Sequence, residues 1–539
     1  MLPKPRSALF FLSLFLLTLA AWPMATAQAQ QTAPKLSPEE WDKAKHIYFN
    51  LCTGCHGTLR KGATGPNLLP KKTLELGTET LEEIIFSGTP AGMPNWGEQG
   101  ALSKEETNLM ARFVQNEPVA PPEMSLEDMK ATWTTVVPVK SRPTKPMHTR
   151  NWQNYFGVVE RDAGRIAIID GDTKEIITRV PSGYATHILR SSASGRYFLS
   201  IGRDGKVGMI DLWMEKPTLV ATVKTCAEAR SVDASKYKGF EDKLIVVGCY
   251  WPPHLVVLDG QTLEPKKIVS TRGYTYDTFE YHPEPRVAAI VSSHYSPEWV
   301  VNVKETGYVW LVDYSNIDNL KISMIEAERF LHDGGWDSTH RYFMPAANMK
   351  DTMVVIDTKE RKRVAKFMVG TKPHPGRGAN WVDPKFGPVH GTVHIGEGLL
   401  SVWGTDPAKH PESAWKVVRS IALEPGAGSL FVKTHPKSTN LWLDFTLNTD
   451  VKNYQSLCVL DVRTLEQKAE CIKLTEDPKA RVVHMEYNKP GDEVWVSVWG
   501  KEGEVVVFDD KTRKIKTRIK GLTTPTGKFN VYNTMHDIY

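Results

Sequence analysis

From Pro38 onward the apolar positions fall at helical spacing, with Trp41, Ala44, Ile47, Tyr48 and Leu51 on one face. Ser37-Pro38-Glu39-Glu40 in front of them is a capping box with proline at the first helical position, so the pattern predicts a helix that runs into Cys52. A second helix is predicted around Leu81 to Phe86. A third opens with the capping box Ser103-Lys104-Glu105-Glu106 and presents Leu109, Met110, Phe113 and Val114 on one side. The stretch Gly88 to Gly97 between them is rich in glycine and proline and reads as a loop. Pro118, Pro121 and Pro122 end the helical pattern, and a proline-punctuated linker is predicted over 118–150.

Beyond residue 150 the period changes. Short apolar runs that end in aspartate recur: Ile166 to Asp170, Val207 to Asp211, Leu255 to Asp259, Val309 to Asp313, Met353 to Asp357, Leu457 to Asp461 and Val505 to Asp509. Most are followed by a polar turn and a second run, as in Thr173 to Val180. The aspartates are about 41 to 54 residues apart, except for one gap of about 104, within which Leu399 to Trp403 reads as a degenerate copy. Repeats of this length built from several short strands are the signature of propeller blades, and eight units result. The expected architecture is therefore multidomain: a small all-α unit over 28–117, the linker, and an all-β, eight-bladed β-propeller over 151–539. A propeller has a central channel with loops converging on one face, a natural seat for a large flat ligand.

Composition changes this picture little. The 539 residues are 41% hydrophobic and 24% charged with a net charge of +5, which is ordinary for a globular protein and gives no indication of nucleic acid binding. Residues 1–27 add more. Lys4 and Arg6 precede the apolar run Ala8 to Trp22, and Ala25-Thr26-Ala27 closes the segment, the pattern of a secretory signal peptide with no membrane anchor after it. In an oxidising compartment cysteines can pair. Cys226 and Cys249 are symmetric about Ser235 to Asp242, and Cys458 and Cys471 about Arg463 to Glu466, so each pair would lie opposite on a hairpin, within disulfide reach; four free buried thiols are the alternative.

The remaining two cysteines carry the sharpest chemistry. Cys52-Thr53-Gly54-Cys55-His56 is the attachment sequence for c-type heme: two thiols add to the vinyl groups and the adjacent histidine is held against the iron. Met93, on the Gly/Pro-rich loop, is the expected second axial ligand, since a thioether raises the potential of electron-transfer hemes. Met110 sits on an apolar helix face and reads as core. In the repeat region three histidines stand out by setting: His187 in Gly183 to Arg190, His332 in Phe330 to Asp337, and His374 in Lys372 to Asn380. The last two are read as lying in glycine-rich loops, which favours functional placement, although any single histidine is more often a satisfied structural one.

Longer strings then point to a known family. The heme motif with Arg60-Lys-Gly-Ala-Thr64, Met93-Pro-Asn-Trp-Gly97, Ser194-Gly-Arg-Tyr197, Glu228-Ala-Arg230, Tyr250-Trp-Pro-Pro253, His282-Pro-Glu-Pro-Arg286, the two histidine segments and Thr524-Pro-Thr-Gly-Lys-Phe-Asn530 closely resemble the dissimilatory nitrite reductases of the cytochrome cd1 type. The resemblance implies a heme c domain joined to a propeller that holds noncovalent heme d1, in a periplasmic homodimer. It also implies an electron donor such as a small c-type cytochrome or cupredoxin. Carried over residue by residue, it makes His187 the proximal ligand of heme d1 and His332 and His374 the distal pair, which hold nitrite and protonate the departing oxygen. It places Arg190, Arg203, Arg230, Arg377 and Tyr250 around the macrocycle, where guanidinium groups suit a cofactor with several carboxylates. The implied reaction is reduction of nitrite to nitric oxide.

Two features depart from the family pattern. Some members supply a distal tyrosine from an N-terminal arm, and the arm before the first helix here contains none. Val482-Val-His484-Met-Glu486 carries histidine where glutamine is expected, similar to the maturation relatives of the family. The competing functions are accordingly a dihydro-heme d1 dehydrogenase, a noncatalytic heme d1 carrier, and a quinoprotein dehydrogenase with a fused cytochrome.

Overall fold

A computed structural model describes residues 32–62, 65–89, 93–98 and 100–539. The signal sequence lies outside the described residues, as do parts of the Arg60-to-Thr64 string and of the Gly88-to-Gly97 loop.

The chain begins with helix α1 (Pro38–Ile47), capped as its sequence demands: Ser37 Oγ accepts from the Glu40 amide, and the Glu40 carboxylate accepts from the Ser37 amide. One wide turn over Tyr48–Cys52 passes directly into the short helix α2 (Thr53–His56), which presents the heme motif. Helix α3 spans Pro70–Ser87, well before the predicted Leu81, and is broken at Gly77, whose φ of 74° interrupts the periodicity that would have revealed its first half. Helix α4 (Lys104–Val114) repeats the capping box at Ser103 and Glu106. The faces read from the sequence meet in one core, where Ala44, Tyr48, Leu81, Ile85, Met110 and Phe113 pack together.

The segment expected to be only a linker contains more. Helix α5 (Leu126–Thr132), with its own capping box at Ser125 and Asp128, is followed by Thr134–Thr135, which pair with Thr222 and Ala221 as an extra outer strand. Seven residues are too few to show a clear helical period, although the cap itself was legible.

Eight four-stranded antiparallel sheets follow in a ring, and one of them carries the extra strand. All eight apolar runs, the degenerate Leu399 to Trp403 included, are the third strand of their blade. The aspartate recurs for a local reason: its carboxylate accepts amide hydrogens of the turn to the fourth strand, as Asp170 does from Asp172, Asp259 from Gln261 and Asp357 from Lys359. The ring is closed by Pro525–Asn530, which pairs antiparallel with Phe156–Glu160 to complete the first blade.

Both cysteine pairs are disulfides. Cys458 and Cys471 are directly opposite on neighbouring strands, as expected. Cys226 and Cys249 are not. Cys249 faces Ala229 across an irregular ladder, and Cys226 reaches it from the chain just before the strand Glu228–Ala234.

Candidate active site

One cavity of about 990 Å³ runs from the heme motif to the centre of the propeller. At its helical end Cys52, Cys55, His56, Met93 and Met110 all form part of the wall. Cys52 and Cys55 are not disulfide-bonded and are half-buried. The His56 ring donates from Nδ1 to the Pro66 carbonyl at 2.8 Å, which fixes its tautomer and leaves the Nε2 lone pair for a metal. Burial holds its pKa below the ordinary value, which keeps it neutral. Gly65 makes this fit possible: a Cβ there would stand 2.9 Å from His56 Cε1. Met93 is half-buried, whereas Met110 is packed in the helical core.

The propeller end is built mainly from the first strand of each blade and the loops that lead into it. His187 closes the loop before Ile188–Ser191, Arg190 lies on that strand, Arg230 on Glu228–Ala234, and His374 and Arg377 on the loop before Ala379–Asp383. His332, expected in a loop, lies instead on the strand Leu331–Trp336, at a bulge between Leu331 and Gly334. Consecutive strand residues normally point to opposite faces. The bulge re-aims them, so both His332 and Asp333 reach the cavity. Gly335 lets the His374 loop close on this strand, because a Cβ there would collide with the Arg377 carbonyl. Arg377 Nη1 then donates to the Gly334 carbonyl at 2.8 Å.

This packing assembles a three-residue cluster. Asp333 Oδ1 is 3.1 Å from His332 Nδ1, Asp333 Oδ2 is 3.4 Å from His374 Nε2, and the two imidazole centroids are 5.2 Å apart. His374 donates from Nδ1 to the Leu430 carbonyl at 2.8 Å, so its Nε2 is the atom turned to chemistry. Burial pushes the His332 pKa down to about 4, against the pull of Asp333. Burial acts on Asp333 as well, but the neighbouring imidazoles outweigh it and hold its carboxyl below the ordinary range. His187 is kept neutral first by burial and then by Arg230 and Arg203. Among the described residues no hydrogen bond occupies its ring nitrogens.

The charges around the cavity ask for an anionic ligand. Arg190 is 6% exposed, and among the described residues neither it nor Arg230 has a hydrogen bond or an ion pair. Their nearest opposite charges, Asp537 for Arg190 and Asp333 and Glu228 for Arg230, act only through space, and a desolvated cation without a direct partner is unfavourable. A cofactor with several carboxylates fits this donor set, and heme d1 is such a group. Arg203 leans on Glu228 at 3.4 Å. Tyr250 is the one expected site residue outside the wall: it is buried with the Arg286 guanidinium over its ring.

Sequence reasoning missed Asp333, although it adjoins a histidine that was singled out. It had marked His484 without giving it a role. The structure seats His484 on a bulge at φ 57°, with its amide on Asp444, its carbonyl on Lys528 and its ring between Phe431 and Phe529 on the cavity wall. Between the two ends, Tyr184 of the His187 loop packs on Trp96 of the Met93 segment, with ring centroids 5.1 Å apart.

Comparison with known proteins agrees with this geometry. Residues 150–534 match the family described as "Cytochrome D1 heme domain", and residues 39–114 match "Cytochrome C oxidase, cbb3-type, subunit III". The chain is 50% identical over 546 residues to a nitrite reductase of Stutzerimonas stutzeri, covering 96% of this chain and 97% of that one. It is 28% identical over 489 residues to a dihydro-heme d1 dehydrogenase of Pseudomonas aeruginosa, covering 90% and 93%. A solved dihydro-heme d1 dehydrogenase in complex with DHE superposes with a TM-score of 0.72 at 26% identity, covering 91% of this chain and 99% of that one.

Proposed function

The chain belongs to the family of cytochrome cd1 nitrite reductases, and we infer from that membership that it reduces nitrite to nitric oxide and water, with electrons entering through heme c. The observation that carries this reading is the single cavity with the Cys52–His56 motif at one end and the His332–Asp333–His374 cluster, with Arg190 and Arg230 on the same wall, at the other. The greater likeness to the nitrite reductase than to the dehydrogenase favours reduction of nitrite over cofactor maturation.

In this reading Cys52 and Cys55 would anchor heme c, and His56 and Met93 are the side chains that would hold its iron. His187 would hold the iron of heme d1, while Arg190, Arg203, Arg230 and Arg377 would receive its carboxylates. Tyr250 lies behind the cavity wall, its ring under the Arg286 guanidinium. When bound, heme d1 supplies the iron at which nitrite accepts one electron. The protein's part is to hold the anion and deliver protons: conversion of nitrite to nitric oxide and water consumes one electron and two protons. His332 and His374 are the donors. As imidazolium groups they bind the anion, and as neutral groups they have given up the protons that the departing oxygen needs. An anion in the pocket favours the charged form of His332 and opposes the burial that lowers its pKa.

We place the protein in the periplasm, as a homodimer fed by a small c-type cytochrome or cupredoxin. Among the described residues no helix is long and apolar enough to cross a membrane. The test is anaerobic oxidation of the reduced protein by nitrite, with nitric oxide followed at an electrode. Wild type should show one covalent heme, one extractable heme d1 and steady nitric oxide release. His332→Ala and His374→Ala should each lose about 100-fold or more in turnover, the usual worth of a positioned proton donor, while heme d1 content stays normal. Full turnover in both variants would overturn the assignment.

A further inference from the structure

We propose that Asp333 is a positioning residue, the shared counter-charge that lets His332 and His374 carry protons at the same time once nitrite is bound, so that both protons of one turnover are loaded before nitrite reacts. The proposal rests on the nitrite reductase reading above and goes beyond it by assigning the carboxylate between the two donors.

The geometry carries the argument. Two imidazolium rings with centroids 5.2 Å apart repel each other, and in a buried pocket the second proton would not bind without a counter-charge. One carboxylate oxygen approaches each ring, at 3.1 and 3.4 Å, so a single negative charge serves both. His332 Nδ1 has no partner other than this carboxylate, so Asp333 is the group that can answer a charge on that ring. The bulge at 332–333 points the same way, since an ordinary strand would have turned Asp333 away from the cavity.

The charged and titratable neighbours of this cluster come from several blades. Lys304 and His374 act against a proton on His332. Arg230 and both histidines favour the Asp333 anion, and His187 senses Asp333 and His332 together. Asp333 is the carboxylate that pairs with either donor at ion-pair distance among the described residues. The proton balance closes. The two imidazolium groups each give one proton to the departing oxygen, which leaves as water; the electron goes to the nitrogen-containing product, nitric oxide. The neutral rings then reload from solvent beside an unchanged carboxylate.

The experiment compares wild type with the isosteric Asp333→Asn variant in the heme-loaded enzyme, as kcat against pH. The sign follows from the counter-charge. Asp333 raises the His332 pKa against burial, so turnover falls as pH rises through that value. Without the anion the fall should move to lower pH by about 1 to 3 units, and activity should recover toward wild type at the acid end. A uniform loss at every pH, with the profile in place, would show a merely structural role and overturn the proposal. A second readout needs neither turnover nor a variant. Carbon monoxide added to the reduced wild-type enzyme reports distal positive charge through its stretching frequency, which should move in two protonation steps as pH falls. One step, or none, refutes joint protonation. Failure of the wild type to form nitric oxide would instead refute the nitrite reductase reading, and the carbon monoxide titration would still judge Asp333.

Discussion

Arg190→Met tests the electrostatic logic of the cavity, because its two consequences have opposite signs. Arg190 is 6% exposed on the inner strand Ile188–Ser191, and no hydrogen bond or ion pair of the described protein holds its guanidinium. Before heme d1 binds, this is a desolvated cation with no directly paired counter-ion, balanced only at longer range by Asp537. Replacing it by an apolar chain of similar length removes that cost, so the protein free of heme d1 should melt at a higher temperature than wild type. Once heme d1 is present the arginine donates charge-assisted hydrogen bonds to a carboxylate. Losing one such bond costs about 1.5 to 3 kcal/mol, which is roughly 10- to 150-fold in affinity at 1.4 kcal/mol per decade. The assay has two arms: thermal unfolding of the d1-free protein followed by circular dichroism, and release of heme d1 to a scavenging protein followed in the visible spectrum. If the variant binds heme d1 within twofold of wild type, or its d1-free form melts lower, then Arg190 is not waiting for an anionic cofactor.

Two further outcomes follow from the site and its frame. Met93→Ala should abolish the thioether-to-iron charge-transfer band of heme c, whereas Met110→Ala should keep it and lose about 2 to 5 kcal/mol of stability as a core truncation; optical spectra with denaturant titration separate the two, and a band that survives in Met93→Ala removes that ligand. The double change Cys458→Ser with Cys471→Ser opens a link of sequence separation 13 on the two outer strands of its blade, and should cost about 3 kcal/mol in denaturant unfolding with kcat unchanged. A loss of nitrite turnover there would tie the outer strands to the site in a way their position does not suggest.

What the chain revealed in advance depended on whether a feature repeats or stands alone. The eight blades were readable because one aspartate closes the same turn in seven of them, and the eighth kept its apolar strand at Leu399 to Trp403 without the aspartate. The capping boxes at Ser37 and Ser103 located two helices because the cap is a local pairing that owes nothing to the rest of the fold. The same pairing at Ser125 was overlooked among the prolines. Asp333 was out of reach for a different reason. Strand alternation assigns it to the face opposite His332, and only the bulge, set by pairing with Ala347 and Pro345, brings it round. Tyr250 errs in the other direction: its family string is present, yet the side chain lies behind the wall under Arg286.

The seam between Pro525–Asn530 and Phe156–Glu160 also sets a timetable. The attachment motif at residues 52–56 is synthesised early and needs only its own small helical unit to present thiols and imidazole. The propeller pocket cannot exist so soon, because Thr526, Phe529, Asp537 and Tyr539 form part of its wall and the first blade stays open until the late strand docks against one made some 370 residues before it. Covalent heme attachment can therefore precede ring closure, whereas noncovalent cofactor loading must follow it. The maturation of this protein is thus a sequence of two deliveries, and the second waits for the far end of the chain.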